Sequence, residues 1–162
     1  MRPALLATFL AVLMSIASPA MAADSLKSRI IGSWRLVAVY DQFTDGSRRE
    51  TWGPGAQGLV IFTPEGLFNA IIVGDKRAAK AGGVPSEPVG PAVAYYGAYS
   101  LDEAAMTFTT RVQQSTFPPW TGQTLVRTVT ELSDTALKVE AAPITDPSGR
   151  PFVPHLEFER VK

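Results

Sequence analysis

Few residues in this 162-residue chain have side chains suited to catalysis or metal binding. His155 is the only histidine, and there is no cysteine. A zinc site uses several nitrogen or sulfur ligands, so the chain cannot supply one, and the lack of cysteine excludes thiol nucleophiles and disulfides. No G-x-S-x-G motif accompanies His155, and no phosphate-binding or dinucleotide-binding glycine pattern is present. We therefore assign no catalytic residue, metal ligand or cofactor, and we favour a non-enzymatic function.

Arg127 and several aromatic side chains are better candidates for binding a small molecule. Arg127 lies within an apolar run, where its planar guanidinium could hold a ligand carboxylate. Alternatively, it points outward and covers a neighbouring strand with its stem. Apolar walls with few polar groups are typical of ligand pockets, but the same rings could simply fill the core. The candidate pocket residues are Tyr40, Phe68, Tyr96 and Phe108, with Trp120 at the mouth.

Glu157 and Glu159 are two residues apart and so share one strand face near the C-terminus. We interpret them as a solvated face rather than as an acid–base pair.

The N-terminus has the features of a secretory signal peptide over residues 1–22. Arg2 precedes an apolar stretch from Ala4 to Ala17, and Ala20-Met21-Ala22 has the small-x-small form of a cleavage site. The apolar stretch is shorter than the about 20 residues of a membrane span. We expect a mature domain of residues 23–162, without membrane insertion, in the periplasm or secreted.

The charge balance excludes some classes of partner. The chain has 15 basic and 15 acidic residues, so it lacks the electrostatic signature of a nucleic-acid-binding protein. The sequence does not indicate an oligomeric state.

Alternating apolar and polar residues, separated by short turns, predict an all-β domain after a short helical turn within residues 24–31. Pro64-Glu65-Gly66 predicts a tight hairpin. The strands follow one another as hairpins, which favours an antiparallel up-and-down barrel of 8–10 strands. A glycine- and proline-rich segment, 74–91, interrupts the pattern and is interpreted as a lid, with a helical turn at 78–81; a poorly ordered excursion is the alternative. The predicted strands are 34–40, 48–52, 58–63, 67–73, 94–101, 106–114, 123–132, 136–142 and 155–161.

The first predicted strand fixes which residues should face the core. With strict alternation, Trp34, Leu36, Ala38 and Tyr40 share one face. Trp34 is then expected to plug one end of the barrel.

Several of these segments together resemble the bacterial lipocalin-like domain family. Gly32-Ser33-Trp34 is similar to the lipocalin G-x-W motif. The other similar segments are 58–66, Tyr96-Gly97-Ala98-Tyr99, Pro118-Pro119-Trp120-Thr121-Gly122, Arg127 and Leu156-Glu157-Phe158-Glu159-Arg160, so the resemblance covers residues 31–162. The chain departs from the family in having Pro119 where asparagine is common and Thr110 where histidine is common.

The resemblance implies a calycin-type barrel with a small internal cavity. It also implies structural roles for Gly32, Trp34 and Arg160, with Arg160 lying against Trp34. The leading hypothesis is an exported protein that binds a small hydrophobic or amphipathic molecule in that cavity.

Two alternatives remain open at this point. An isomerase, cyclase or hydrolase on the same fold would need a polar pair in the cavity, such as Arg127 with Tyr96 or Arg111. A filled barrel would instead act as a protein-interaction module, through Phe117–Trp120 and the 74–91 segment.

Overall fold

The computed structural model describes residues 25–77, 84 and 90–162. The predicted signal peptide and most of the predicted lid, including its helical turn, lie outside these ranges. Within them, no helix combines the length and apolar character needed to span a bilayer.

In the part of the chain that the structure describes, ten antiparallel strands follow one short helix, α1 (Leu26–Ile30), and eight of them close into a barrel. The barrel strands pair in chain order, and β1 closes the ring by pairing with both β3 and β10. The predicted all-β up-and-down barrel is therefore confirmed. The two-residue strands β2 and β9 extend the edges of β1 and β10, and a 3-10 helix (Pro118–Trp120) precedes β7. The strands are β1 (Gly32–Phe43), β2 (Arg48–Arg49), β3 (Gln57–Phe62), β4 (Leu67–Val73), β5 (Ala92–Asp102), β6 (Thr107–Ser115), β7 (Thr124–Leu132), β8 (Ala136–Ala141), β9 (Ile144–Thr145) and β10 (Pro151–Arg160).

A bulge in β1 overturns the alternation expected along that strand. The pairing with β10 shifts between Leu36 and Ala38, and the intervening Val37 is 57% exposed. One extra residue moves every later side chain to the opposite face. Val39 therefore packs against the core, whereas Tyr40, predicted to share the face of Trp34, lies on the outside of the barrel.

The last strand begins earlier than predicted because two prolines obscured it. β10 starts at Pro151 and contains Pro154, which pairs with Asp41 of β1. The pairing of β10 with β8 begins only at His155. Proline is tolerated in a strand where one side has no ladder to donate to, so Pro154 does not interrupt the barrel.

Helix α1 closes one end of the barrel. The Ser25 side chain caps the helix by accepting a hydrogen bond from the Ser28 amide. Its apolar residues Leu26 and Ile30 are buried, as is Trp34, which has no exposed surface. The Trp34 indole Nε1 donates to the Ile30 carbonyl at 2.8 Å, so the tryptophan fixes the helix to the barrel and satisfies its own buried donor.

Arg160 holds the same end from the last strand. Its guanidinium carbon lies 4.0 Å from the centre of the Trp34 ring, within cation–π range. Its Nη1 donates to the Ile31 carbonyl at 2.9 Å, and its Nε donates to the Asp134 carbonyl at 2.8 Å. A single side chain thus connects the strand that closes the barrel to the start of β1 and to the β7–β8 turn.

Gly32 is required by both its backbone angle and its contact with Arg160. Its φ is +129°, a conformation that side chains rarely adopt. A Cβ on Gly32 would lie 2.8 Å from Arg160 Nη1. The glycine of the G-x-W motif therefore leaves space for the arginine.

Candidate functional site

A cavity of about 270 Å³ opens at the end of the barrel opposite Trp34. Its wall is mostly apolar, with contributions from β1, β4, β5, β8, β9 and β10. Trp52, which follows β2, and Trp120 of the 3-10 helix supply the largest rings. An apolar space of this kind with a few polar groups suits a small organic ligand.

A cluster of aromatic side chains fills the barrel below this cavity. Phe62 makes edge-on contacts with Phe68 at 4.9 Å and Phe108 at 5.1 Å between ring centres, and all three are buried. The Tyr99 ring joins the cluster at 5.2 Å from Phe62. A void of about 20 Å³ lies at this level, enough for one water molecule. The barrel is therefore filled in its closed half and hollow in its open half.

The structure brings together two of the six predicted ligand-binding residues at the cavity. Trp120 and Arg127 line it. Arg127 alternates along β7 with exposed Val126 and Thr128, and so faces the barrel interior rather than solvent. Phe68 and Phe108 also face inward, but they line the void beneath it instead.

Tyr40 and Tyr96 lie on the outer surface, away from the cavity. The Tyr40 ring stacks on His155 at 5.0 Å, and its hydroxyl donates to Glu157 at 3.2 Å. The pKa of Tyr40 is raised mainly by burial and secondly by this hydrogen bond. Tyr96 is 47% exposed. The bulge in β1 turns Tyr40 outward, and along β5 it is Tyr95 rather than the adjacent Tyr96 that faces inward.

Tyr95 is the tyrosine that faces the cavity, although it is not among the site residues predicted from the sequence. Its ring contacts Phe68 at 5.6 Å and Trp120 at 5.3 Å. Burial raises the pKa of the Tyr95 hydroxyl, and the nearby Arg127 guanidinium partly opposes this shift. Val93 and Tyr95 are two residues apart and both face inward. Strand alternation from the apolar Val93 could therefore have identified Tyr95 as an inward residue.

The mouth of the cavity carries an ion pair between two adjacent strands. Arg49 donates to Asp41 through Nη2 at 3.0 Å and Nε at 3.1 Å, and the Thr51 hydroxyl donates to the same carboxylate oxygen at 2.7 Å. Arg49 also reaches Asp146 at 3.3 Å. The charge of Asp41 is thus already compensated by the protein.

His155 and the two C-terminal glutamates do not reach the cavity. His155 Nδ1 lies 3.5 Å from Glu140 on the outer surface. Glu157 lies 3.9 Å from Lys138, and Glu159 pairs with the exposed Arg35. These residues form cross-strand pairs outside the barrel.

Thr110, at the position where the family often carries histidine, is on the inner face of β6. It is 1% exposed, and its hydroxyl has no hydrogen-bond partner among the described residues. It lies outside both the cavity lining and the lining of the void.

Comparison with known proteins shows which family the sequence matches. The family model of the lipocalin-like domain matches residues 31–160. No curated protein matches the sequence significantly. Among solved structures, a bovine odorant binding protein in complex with a selenium-containing odorant is 16% identical with a TM-score of 0.44, covering 90% of this chain and 78% of its own. A redesigned β-barrel is 16% identical with a TM-score of 0.39, and the match covers 84% of this chain and 95% of the redesigned barrel.

Proposed function

This chain belongs to the lipocalin-like domain family, and we propose that it binds a small hydrophobic or amphipathic molecule in the cavity at the open end of its barrel. The observation that carries the proposal is the apolar space of about 270 Å³ beside Arg127. An apolar cavity of about 150 Å³ holds a benzene molecule. The cavity is therefore suited to a ligand of about ten non-hydrogen atoms.

The size of the ligand sets the expected affinity. At roughly 0.5–0.7 kcal/mol per atom, within the range observed for small ligands, ten atoms give about 5–7 kcal/mol of binding free energy. This corresponds to a dissociation constant of roughly 10–200 μM.

Tryptophan fluorescence offers a direct test with octan-1-ol and octanoate as probes. Trp52 and Trp120 line the cavity, whereas Trp34 is buried at the closed end. A bound probe should change the emission of the first two, and Trp52→Phe and Trp120→Phe should each remove part of the change. If neither probe changes the emission or gives a calorimetric signal at millimolar concentration, the proposal is wrong.

A cavity-filling variant gives a second test. Ala141 lines the cavity, and Ala141→Phe should occupy the space and abolish binding. Ala98 is exposed on the outside of β5, and Ala98→Phe adds the same ring without reaching the cavity. Equal binding by both variants would place the probes elsewhere.

Neither of the two pairs named for an enzyme on this fold forms, and Arg127 shares the cavity lining with Tyr95 instead. Tyr96 and Arg111 are both exposed on the outside of the barrel, whereas Arg127 faces inward. Phe117, which contacts Trp120 at 5.5 Å between ring centres, is 48% exposed, but one exposed ring among the described residues is not in itself an extended apolar patch. Binding in the cavity needs only the apolar space and the lining described above, and it is the function that we propose.

The proposed function includes export to the periplasm or secretion. Its support is the sequence of residues 1–22, with Arg2, an apolar stretch and Ala20-Met21-Ala22. Expression of the full chain in a bacterium, followed by fractionation and N-terminal sequencing, should yield an exported protein that begins at Ala23. An uncleaved protein in the cytoplasm would contradict this.

A further inference from the structure

We propose that the ligand is a small monocarboxylate and that Arg127 and the hydroxyl of Tyr95 bind its carboxylate together. This inference rests on the proposed function and narrows it to one class of molecule. It also adds Tyr95 as a residue that determines specificity.

Arg127 supplies a positive charge that the described protein does not neutralise. Its Nη1 donates to the neighbouring Val126 carbonyl at 2.9 Å, which uses one of the five guanidinium donors. Among the described residues, no carboxylate lies within 4 Å of Arg127. The other charged residues of the lining, Asp41 and Arg49, are paired with each other. The lining therefore carries a net positive charge.

Tyr95 adds a second donor to the same cavity. Its ring is held between Phe68 and Trp120, and within the described ranges no oxygen accepts a hydrogen bond from its hydroxyl. A tyrosine hydroxyl, with an ordinary pKa of 10.0, is protonated at neutral pH, and burial raises the pKa of Tyr95 further, so its hydroxyl can donate. A cation without a carboxylate partner among the described residues and a neutral hydroxyl donor together match a carboxylate, which accepts through two oxygens.

The remaining lining limits which acids can bind. A primary amine would bring a second positive charge next to Arg127, and an alcohol can replace only part of the hydrogen bonding. A dicarboxylate would place its second charge against apolar wall, where burial without a partner is costly. The aromatic cluster below the cavity closes the path to a longer chain. The favoured ligand has one acidic group and a short apolar body.

Three probes with matched eight-carbon chains test the inference: octanoate, octan-1-ol and octylamine, titrated calorimetrically at pH 7.5. Octanoate should bind at least tenfold more tightly than octan-1-ol, and octylamine most weakly. Arg127→Gln should weaken octanoate roughly 10- to 100-fold while leaving octan-1-ol within threefold. Tyr95→Phe, which keeps the ring, should weaken octanoate roughly 3- to 10-fold. Arg111→Gln, an equal loss of charge on the outer face of β6, should change nothing.

The outcomes separate the inference from the proposed function. If octanoate and octan-1-ol bind equally and Arg127→Gln has no effect, the carboxylate assignment is wrong while cavity binding stands. If none of the three probes binds, both fail. An equal loss of octanoate affinity in Arg111→Gln would show that the effect is general charge rather than a site, and would also overturn the inference. Unchanged urea midpoints in the variants confirm that folding is not the cause.

Discussion

Replacing Arg160 by methionine should destabilise the closed end of the barrel by about 4.5 kcal/mol. Two partly buried hydrogen bonds to the carbonyls of Ile31 and Arg29 contribute about 1.5 kcal/mol each. The third, to the Asp134 carbonyl, is solvent-exposed and contributes less, about 0.5 kcal/mol. The cation–π contact with Trp34 adds about 1 kcal/mol. Methionine keeps much of the apolar stem, so the loss of unfolding free energy measures the contribution of the guanidinium group.

Urea unfolding followed by tryptophan fluorescence measures this loss. With a denaturant dependence of about 2 kcal/mol per molar, the midpoint should fall by about 2 M. Arg160→Lys should recover little of it, because an ammonium cannot reproduce a planar fork directed at several carbonyls.

Arg35→Met is the matched control. Arg35 lies near Arg160 in the β1–β10 pair, but its side chain is 68% exposed and pairs with Glu159 at the surface. Exposed ion pairs contribute about 0–1 kcal/mol. If Arg160→Met and Arg35→Met differ by less than 1 kcal/mol, Arg160 is not the connection that the geometry indicates.

Three further predictions concern other parts of the barrel. Gly97→Ala should prevent stable folding, because its Cβ would lie 1.9 Å from the Arg111 carbonyl oxygen; a soluble variant with an unchanged urea midpoint would contradict the packing of β5 on β6. Thr110→Val should leave stability unchanged or raise it by about 1 kcal/mol in urea unfolding, since the buried hydroxyl has no described partner; a loss above 1 kcal/mol would reveal one. Stability should fall as pH rises above 10.0, the ordinary pKa of tyrosine, because the folded state raises the pKa of Tyr95 and the unfolded chain releases that proton first. Tyr95→Phe should reduce the fall between pH 9 and 11, and an identical pH profile would contradict the assignment.

The architecture was predictable because its determinants are local. The hairpin at Pro64-Glu65-Gly66 needs only a glycine with positive φ at its third position, and Gly66 has a φ of +89°. Alternation then identified the barrel strands on either side. The closed end could also be predicted, because the resemblance to lipocalins pairs the G-x-W segment with the final arginine.

The site was less predictable for two reasons. Which side chains face inward changes with a shift of one residue in strand register, and the size of the cavity depends on the total volume of the side chains inside the barrel. The bulge at Val37 cannot be recognised from the hydrophobic pattern, because β1 is apolar on both faces around it. The bulge nevertheless moves Tyr40 to the outside of the barrel. Choosing between Tyr95 and Tyr96 required the register of β5, which only its partners fix. Whether the barrel is hollow depends on how much of its interior Phe62 and its neighbours occupy, and no local sequence pattern encodes that total volume.

The aromatic cluster below the cavity has a consequence for chain-length selection. Phe68 and Phe108 are buried between the cavity and the plugged end, and the void beside them holds about 20 Å³. The depth available to a ligand is therefore set by ring size at these two positions. For the proposed ligand class, smaller side chains at these two positions would accommodate a longer chain while the carboxylate contacts stay the same, so the preferences for chain length and for charge could change independently.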